Sequence, residues 1–177
     1  MYELFLCSIR HAPSLVFFQA ESLTDDSDNA KEAMEGADLT IVCGGGKSTE
    51  GEDRASLNLD QEEFINAVAS AGQVSNVPVA VLALAPGTFL TPFRDNAAAV
   101  LALFFGGTPT GSAFASVIFG DVNPSAKSPV TFPVNESDTV APCLEVDCPY
   151  AEGLLVGYRQ FDANDTPVQR KENNIFV

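Results

Sequence analysis

Short apolar runs alternate with amphipathic stretches along most of this chain. Leu15–Ala20 (LVFFQA), Asp38–Cys43 (DLTIVC), Pro78–Ala85 (PVAVLALA) and Ala98–Phe105 (AAVLALFF) are continuous apolar blocks of strand length. Between them, the acidic stretch TDDSDN offers N-caps to a helix centred on Ala30–Glu35 that ends at Gly36. A second helix is predicted from a cap at Asp60 to about Ala71, with Phe64, Ile65 and Val68 on one face. A third spans Ser112–Phe119 and stops at Gly120. Gly44–Gly46 is expected to end the second strand, and Gly106–Gly107 with Pro109 to break the fourth. Beyond Gly120 the chain turns Pro- and Asp-rich and loses periodicity.

Strands that are apolar throughout, rather than alternating, are covered on both faces, and strands that take turns with helices form parallel sheets. The expectation is a three-layer α/β sandwich with a mainly parallel sheet. Asp38–Cys43, Pro78–Leu84 and Ala98–Phe104 should be its neighbouring inner strands. Ligands of such sheets sit at the carboxyl ends of the strands, which directs attention to the loops after Cys43, Ala85 and Phe105.

Length and charge narrow the field. The 177 residues suffice for one ordinary domain. They cannot hold a (β/α)₈ barrel, which takes roughly 250 residues. Nine Lys+Arg stand against 24 Asp+Glu, a net charge of −15, which repels phosphate backbones and anionic membranes. Nucleic acid is thereby excluded as a partner, and no apolar run is long enough for a membrane span. The opening MYELFLCSIRHAP lacks the basic start and apolar length of a signal peptide.

No metal or cofactor site is expected. His11 is the sole histidine, no CxxC or HxxxH occurs, and Asp25-Asp26-Ser27-Asp28 lacks the spacing and closing Glu of an EF-hand. Gly46-Lys47-Ser48 matches only the tail of a phosphate-binding loop. Ile41 stands where that motif needs Gly, and Glu50, Glu52 and Asp53 would repel an anion. Cys143 and Cys148 flank a short Pro-bounded loop and are either bridged or free.

The segment Thr49–Arg54 is more informative. It sets a carboxylate, a turn glycine and an Asp-Arg pair on a loop at the ligand edge of the sheet. Glycosidic cleavage needs a carboxylic acid for the leaving oxygen, and Asp and Arg suit sugar hydroxyls. The same residues also describe a solvated acidic loop with a surface ion pair.

Resemblance distinguishes the two. Glu50-Gly-x-Asp53-Arg54 followed by Leu57-x-Leu59 resembles the E-G-x-D-R…L-x-L segment of family 3 glycoside hydrolases, the β-glucosidases and β-xylosidases. Phe119–Pro133 (FGDVNPSAKSPVTFP) and Tyr150–Asp162 (YAEGLLVGYRQFD) resemble two further segments of that family, in the same order. The likeness covers residues 30–167 of a single domain, 1–177. It implies the family's second domain, a flavodoxin-like six-stranded sandwich packed on an N-terminal barrel, with the active site between them. In that arrangement the barrel carries an Asp nucleophile and the second domain a Glu acid/base in a retaining reaction.

Carried over position by position, Glu50 is the candidate acid/base, and Asp53 and Arg54 the candidate substrate-binding residues. Asn123, Pro124, Lys127, Pro129, Tyr158 and Arg159 match segments read as fold-forming. The family's P-G-Q-E-x-G-x-A is replaced by Phe104-Phe-Gly-Gly-Thr-Pro-Thr-Gly-Ser-Ala113, and its closing F-G-Y-G-L-S-Y segment is missing.

With the barrel outside these residues, the chain is expected to turn nothing over alone. It would either complete a site for a β-glucoside or β-xyloside, or serve as a non-catalytic structural or carbohydrate-binding subunit. Glu50 should lie exposed on the loop beyond Cys43. The edge formed by Gly44–Asn58, Pro86–Phe93 and Phe105–Thr110 should present Phe89, Phe93 and Phe105 to a protein partner. The expected interface exceeds about 1,000 Å² in total. The family and two sequons, at Asn135 and Asn164, lean towards a secreted or extracellular setting.

Overall fold

In a computed structural model of the chain, twelve elements follow one another, with residues 5–12, 15–22, 27–52, 54–143, 146–169 and 175–176 described. They are β1 (Phe5–Ala12), β2 (Leu15–Ser22), α1 (Ser27–Met34), β3 (Leu39–Gly45), α2 (Glu62–Ser75), β4 (Val79–Leu84), β5 (Ala99–Leu103), α3 (Thr110–Ile118), β6 (Phe132–Pro133), α4 (Tyr158–Ala163), β7 (Val168–Gln169) and β8 (Ile175–Phe176). Short 3₁₀ turns occupy Arg94–Asn96 and Glu136–Asp138.

The main sheet has six strands in the order β2-β1-β3-β4-β5-β8. The three apolar runs predicted as inner strands are β3, β4 and β5, adjacent and parallel, with Thr40 opposite Val79 and Ala80 opposite Ala99. β8 continues the parallel run beside β5, while β1 and β2 form an antiparallel hairpin on the other side. The alternation of strands and helices did not reveal β1, whose mixed sequence FLCSIRHA has neither an apolar run nor a clean period.

Both faces of the inner strands are buried, as their composition requires. On one face Val42, Val79, Val81, Ala83 and Val100 pack under α1 and α2, through Ala30, Met34, Phe64, Ile65 and Val68. On the other face Ile41, Ala80 and Leu82 pack with Leu39, Cys43 and Leu101 under Phe114 and Ile118 of α3. Fully burying one such side chain is worth about 1.5–3 kcal/mol, so these two clusters outweigh any surface ion pair present. Gly72 shows how close α2 lies to the sheet: a Cβ there would meet Val79 Cγ2 at 2.3 Å and the Val77 carbonyl at 2.7 Å.

β3 ends at Gly45, within the Gly44–Gly46 run as expected, although Gly44 and Gly45 still belong to its ladder. They remain paired with Ala83 and Leu84, and a strand needs only backbone groups for its ladder. The N-cap of α2 is Gln61, not Asp60; the Asp60 N–H instead donates to the Gly45 carbonyl (2.8 Å). The Gln61 side chain accepts from Gly45 N–H (3.0 Å), so the helix start is stitched to the strand end.

After Gly120 the chain is largely irregular but not unanchored. Phe132 is buried against Phe89, with ring centroids 5.2 Å apart at 77°, and stacks on Phe104 at 6.5 Å. Phe161 of α4 is buried as well. Asn123, Lys127, Pro129, Tyr158 and Arg159, read as fold-forming, are instead exposed, and Pro124 is half-buried. The anchoring in these motifs falls to Phe132, Pro133 and Phe161, because an extended segment crossing the surface can bury only some of its residues. Cys143 and Cys148 are bridged. Asn135 and Asn164 of the two sequons are exposed.

Candidate active site

β3 delivers the chain to the carboxyl edge of the sheet, where Gly46 N–H donates to the Leu84 carbonyl (3.0 Å). From there residues 47–59 leave as a loop. Its apex is a tight hairpin in which Thr49 and Glu52 form an isolated antiparallel bridge around Glu50 and Gly51. Gly51 has φ +84°, a conformation that strains residues bearing a Cβ, which accounts for glycine after Glu50. Glu50 is exposed on this apex, beyond the end of β3, as the sequence predicts. Asp53 lies outside the described residues, as do Asp25 and Asp26; nor is the His11 side chain described.

Arg54 braces the loop from within. Its Nη2 donates to the Asn58 carbonyl (2.7 Å), and its guanidinium lies across Gly46, where a Cβ would approach Nη2 to 3.0 Å. Gly46 therefore serves close packing against Arg54, a role the phosphate-loop comparison did not suggest. Three further backbone bonds hold the return leg: Asn58 N–H to Ser56 Oγ (2.9 Å), Leu90 N–H to the Leu57 carbonyl (3.0 Å), and Leu57 N–H to Glu136 Oε1 (2.9 Å). Glu136 belongs to the irregular C-terminal part, and nothing in the sequence pattern pointed to it.

Beneath the hairpin is a cleft of about 440 Å³ bordered by Lys47, Thr49, Glu52, Arg54, Asn58 and Asp60. Lys47 Nζ reaches Asp60 Oδ2 at 3.8 Å. The loop thus gathers Glu52 and Arg54 at the cleft, while Glu50 stands outside its lining. The lining includes carboxylate, guanidinium and ammonium groups, which are able to bind hydroxyls. Among the described residues, no group of three or more His, Cys, Asp or Glu is placed to hold a metal. No helix among them is long and apolar enough to cross a membrane.

A neighbouring hollow of about 570 Å³ lies by the start of α2 and includes Asp60, Glu62 and Glu63. One carboxylate oxygen of Glu62, Oε2, is sealed from solvent without a hydrogen-bond partner. Burial pushes the Glu62 carboxyl above its ordinary range, and the nearby charges of Glu136 and then Glu63 add to the rise.

The remainder of the edge departs from expectation. Phe89 and Phe93 are both 0% exposed, tucked into the core under the 86–93 loop, so they present no apolar patch. Of the three predicted phenylalanines only Phe105 is exposed, at 49%, and it carries the unusual φ of +33° two residues past the end of β5. The exposed apolar surface lies elsewhere, on Phe119 and Val122 and along Tyr150, Leu154, Val156 and Tyr158.

Residues 8–158 match the model of the glycosyl hydrolase family 3 C-terminal domain. The chain belongs to this family. It is 37% identical over 156 residues to the probable β-glucosidase J of Aspergillus fumigatus, an alignment covering 80% of this chain and 18% of that protein. To the thermostable β-glucosidase B of Acetivibrio thermocellus it is 35% identical over 164 residues, covering 84% and 21%. Among solved structures, the β-glucosidase of Kluyveromyces marxianus in complex with glucose superposes with a TM-score of 0.70 at 26% identity, covering 90% of this chain and 20% of that one. The β-glucosidase 3B of Thermotoga neapolitana with glucose gives a TM-score of 0.66 at 26% identity, covering 81% and 22%. The chain spans about a fifth of the length of these relatives.

Proposed function

We propose that this domain contributes Glu50 as the acid/base of a retaining O-glycosyl hydrolase site acting on β-glucosides or β-xylosides. The observation that carries this reading is the position of Glu50, exposed at the apex of a braced hairpin on the carboxyl edge of a parallel sheet. The relatives named as β-glucosidases supply the substrate class. In a retaining reaction, Glu50 as the acid protonates the leaving oxygen while a second carboxylate attacks the anomeric carbon. As the conjugate base it then takes a proton from the water that hydrolyses the glycosyl-enzyme. The two carboxyl groups of such a pair lie about 5–5.5 Å apart.

The second carboxylate belongs to a barrel that these 177 residues do not include, and a protein surface covering the Glu50 edge would complete the site. Arg54 organises the loop for the sugar, and Asp53 beside it in sequence is the second candidate for substrate contact. The Arg54–Asn58 bond supports that role for Arg54, and Lys47 and Glu52 are placed for contacts to hydroxyls.

A second reading draws on the position of Glu50 outside the cleft lining and on the exposed apolar residues from Tyr150 to Tyr158. In it the domain is a non-catalytic structural or carbohydrate-binding subunit. A chimera decides between them, with this chain in place of the matching segment of the Acetivibrio enzyme. The isolated chain should release no aryl alcohol from aryl β-glucosides or β-xylosides. The chimera should hydrolyse them, and Glu50→Gln should lower its kcat/KM by about 10²–10⁴-fold on unactivated substrates such as a phenyl β-glucoside, whose leaving oxygen needs the proton. A Gln variant as active as its parent, or turnover by the isolated chain abolished by the same substitution, would refute the first reading.

A further inference from the structure

The hairpin that carries Glu50 is anchored to the sheet on its outgoing leg by backbone pairing, through Gly46 N–H and the Leu84 carbonyl. Among the described residues its return leg pairs with no strand. Arg54, Ser56 and Asn58 brace it locally, and Leu57 ties it to the rest of the fold: its carbonyl accepts from Leu90 N–H, and its own N–H is given to a carboxylate 79 positions away, Glu136 Oε1 at 2.9 Å.

The placement of Glu136 is built in three steps. Phe132 is buried between Phe89 and Phe104, and the Thr88 hydroxyl donates to the Thr131 carbonyl (2.9 Å), which fixes β6 against the 86–93 loop. That loop is the one that also holds Leu57, through Leu90. Two residues beyond β6 the chain enters the 3₁₀ turn Glu136–Asp138. The turn is pinned at its start by Asp138 Oδ2, which accepts from both the backbone N–H and the side-chain amide of Asn135 at 3.2 Å. It is closed at its end by Thr139, whose N–H and hydroxyl both donate to the Glu136 carbonyl. The backbone at Glu136 is therefore set by contacts other than the Leu57 bond, and its carboxylate is aimed at an amide that needs an acceptor.

We infer that Glu136 is a positioning residue for the Glu50 hairpin, holding the loop's return leg through Leu57 N–H. This rests on the reading of the hairpin as the site-bearing loop, and it adds the C-terminal segment as part of what sets the hairpin's geometry. A charge-assisted acceptor suits the task, since hydrogen bonds to ionised groups are shorter and stronger than neutral ones. Glu136 is exposed and does not belong to the apolar core, so replacing it removes no core packing; its charge does reach the half-buried Glu62 carboxyl.

The test uses the 177-residue chain and backbone-amide NMR, with no activity assay. In the wild type, Leu57 N–H should exchange more slowly than an unprotected amide. Glu136→Ala should speed its exchange by about fivefold, the worth of one ordinary hydrogen bond, and move the amide resonances of Thr49–Glu52. Glu136→Gln keeps an amide oxygen at the same place and should restore both signals towards wild type. Amides of β3, β4 and β5 should stay unchanged in either variant. The inference is overturned if Leu57 is unprotected in the wild type, if Ala leaves the hairpin resonances in place, or if Gln behaves like Ala. Failure of Glu50 in the chimera assay would remove the catalytic reading and leave these amide signals as they are, so the two failures are separable.

Discussion

At the residue scale, the side chains around the hairpin have distinct duties that sequence alone blurs. Glu50 is displayed, Arg54 is spent on the Asn58 carbonyl, and Glu62 is half-buried with one oxygen sealed off. The EGxDR resemblance made Glu50 and Arg54 legible, but not that Arg54 would be the brace and Gly46 its seat. Glu136 was illegible because its partner is a backbone amide 79 positions away, and a backbone donor leaves no trace in the pattern of side chains.

Glu62 yields a pH prediction. Its folded pKa is raised, so the folded state binds a proton more tightly than the unfolded chain, and its contribution is fully present below the ordinary carboxylate pKa. That contribution is lost as pH rises through the raised folded value. Glu62→Gln cannot ionise and escapes the loss. Thermal melts should show the variant gaining stability over wild type as pH goes from about 4 to about 8, with the two nearly equal at the acid end. A difference that does not change with pH, or a variant less stable at neutral pH, would mean that Glu62 is not strained by its surroundings.

At the element scale, β2, the three inner strands and α1–α3 were legible because continuous apolar runs and helical periodicity are strong signals; α4 lies where periodicity is lost and was not. Nor was β1, because FLCSIRHA has neither an apolar run nor a clean alternation, unlike the LVFFQA run of its hairpin partner β2. Phe89 and Phe93 were placed on the surface because loops usually are. Their burial follows from the 86–93 loop turning both rings into the core, with Phe89 against Phe132 of β6, a tertiary fact that periodicity does not encode. The α2–sheet contact at Gly72 gives a further prediction. Alanine there gains about 1 kcal/mol of helix propensity but drives a methyl into the Val77 carbonyl and Val79. Overpacking costs about 1–3 kcal/mol, so Gly72→Ala should lower stability on balance, read as a reduced urea midpoint with unchanged slope. A midpoint at or above wild type would show that α2 can shift outward without cost.

At the scale of the whole molecule, the domain is a six-stranded sandwich whose carboxyl edge carries an acidic hairpin and a polar cleft, in a chain about a fifth as long as its relatives. Several of its exposed apolar residues, among them Phe119, Val122, Tyr150, Leu154, Val156 and Tyr158, lie in the two long motifs that resemble the family, whereas Val74, Phe105, Val140 and Val146 lie outside them. Those motifs were easy to recognise and hard to interpret, since most of their residues are exposed rather than packed in this domain's core.

The central claim is that Glu50 donates the proton to the leaving group, and leaving-group dependence tests it most directly. In the chimera, Glu50→Ala should lower kcat/KM by about 10²–10⁴-fold for an alkyl β-glucoside, whose leaving oxygen needs protonation. For 2,4-dinitrophenyl β-glucoside, whose leaving group departs as the anion, the loss in that parameter should be far smaller. Equal losses on both substrates would contradict the assignment and make Glu50 a residue of the loop rather than the acid of the reaction.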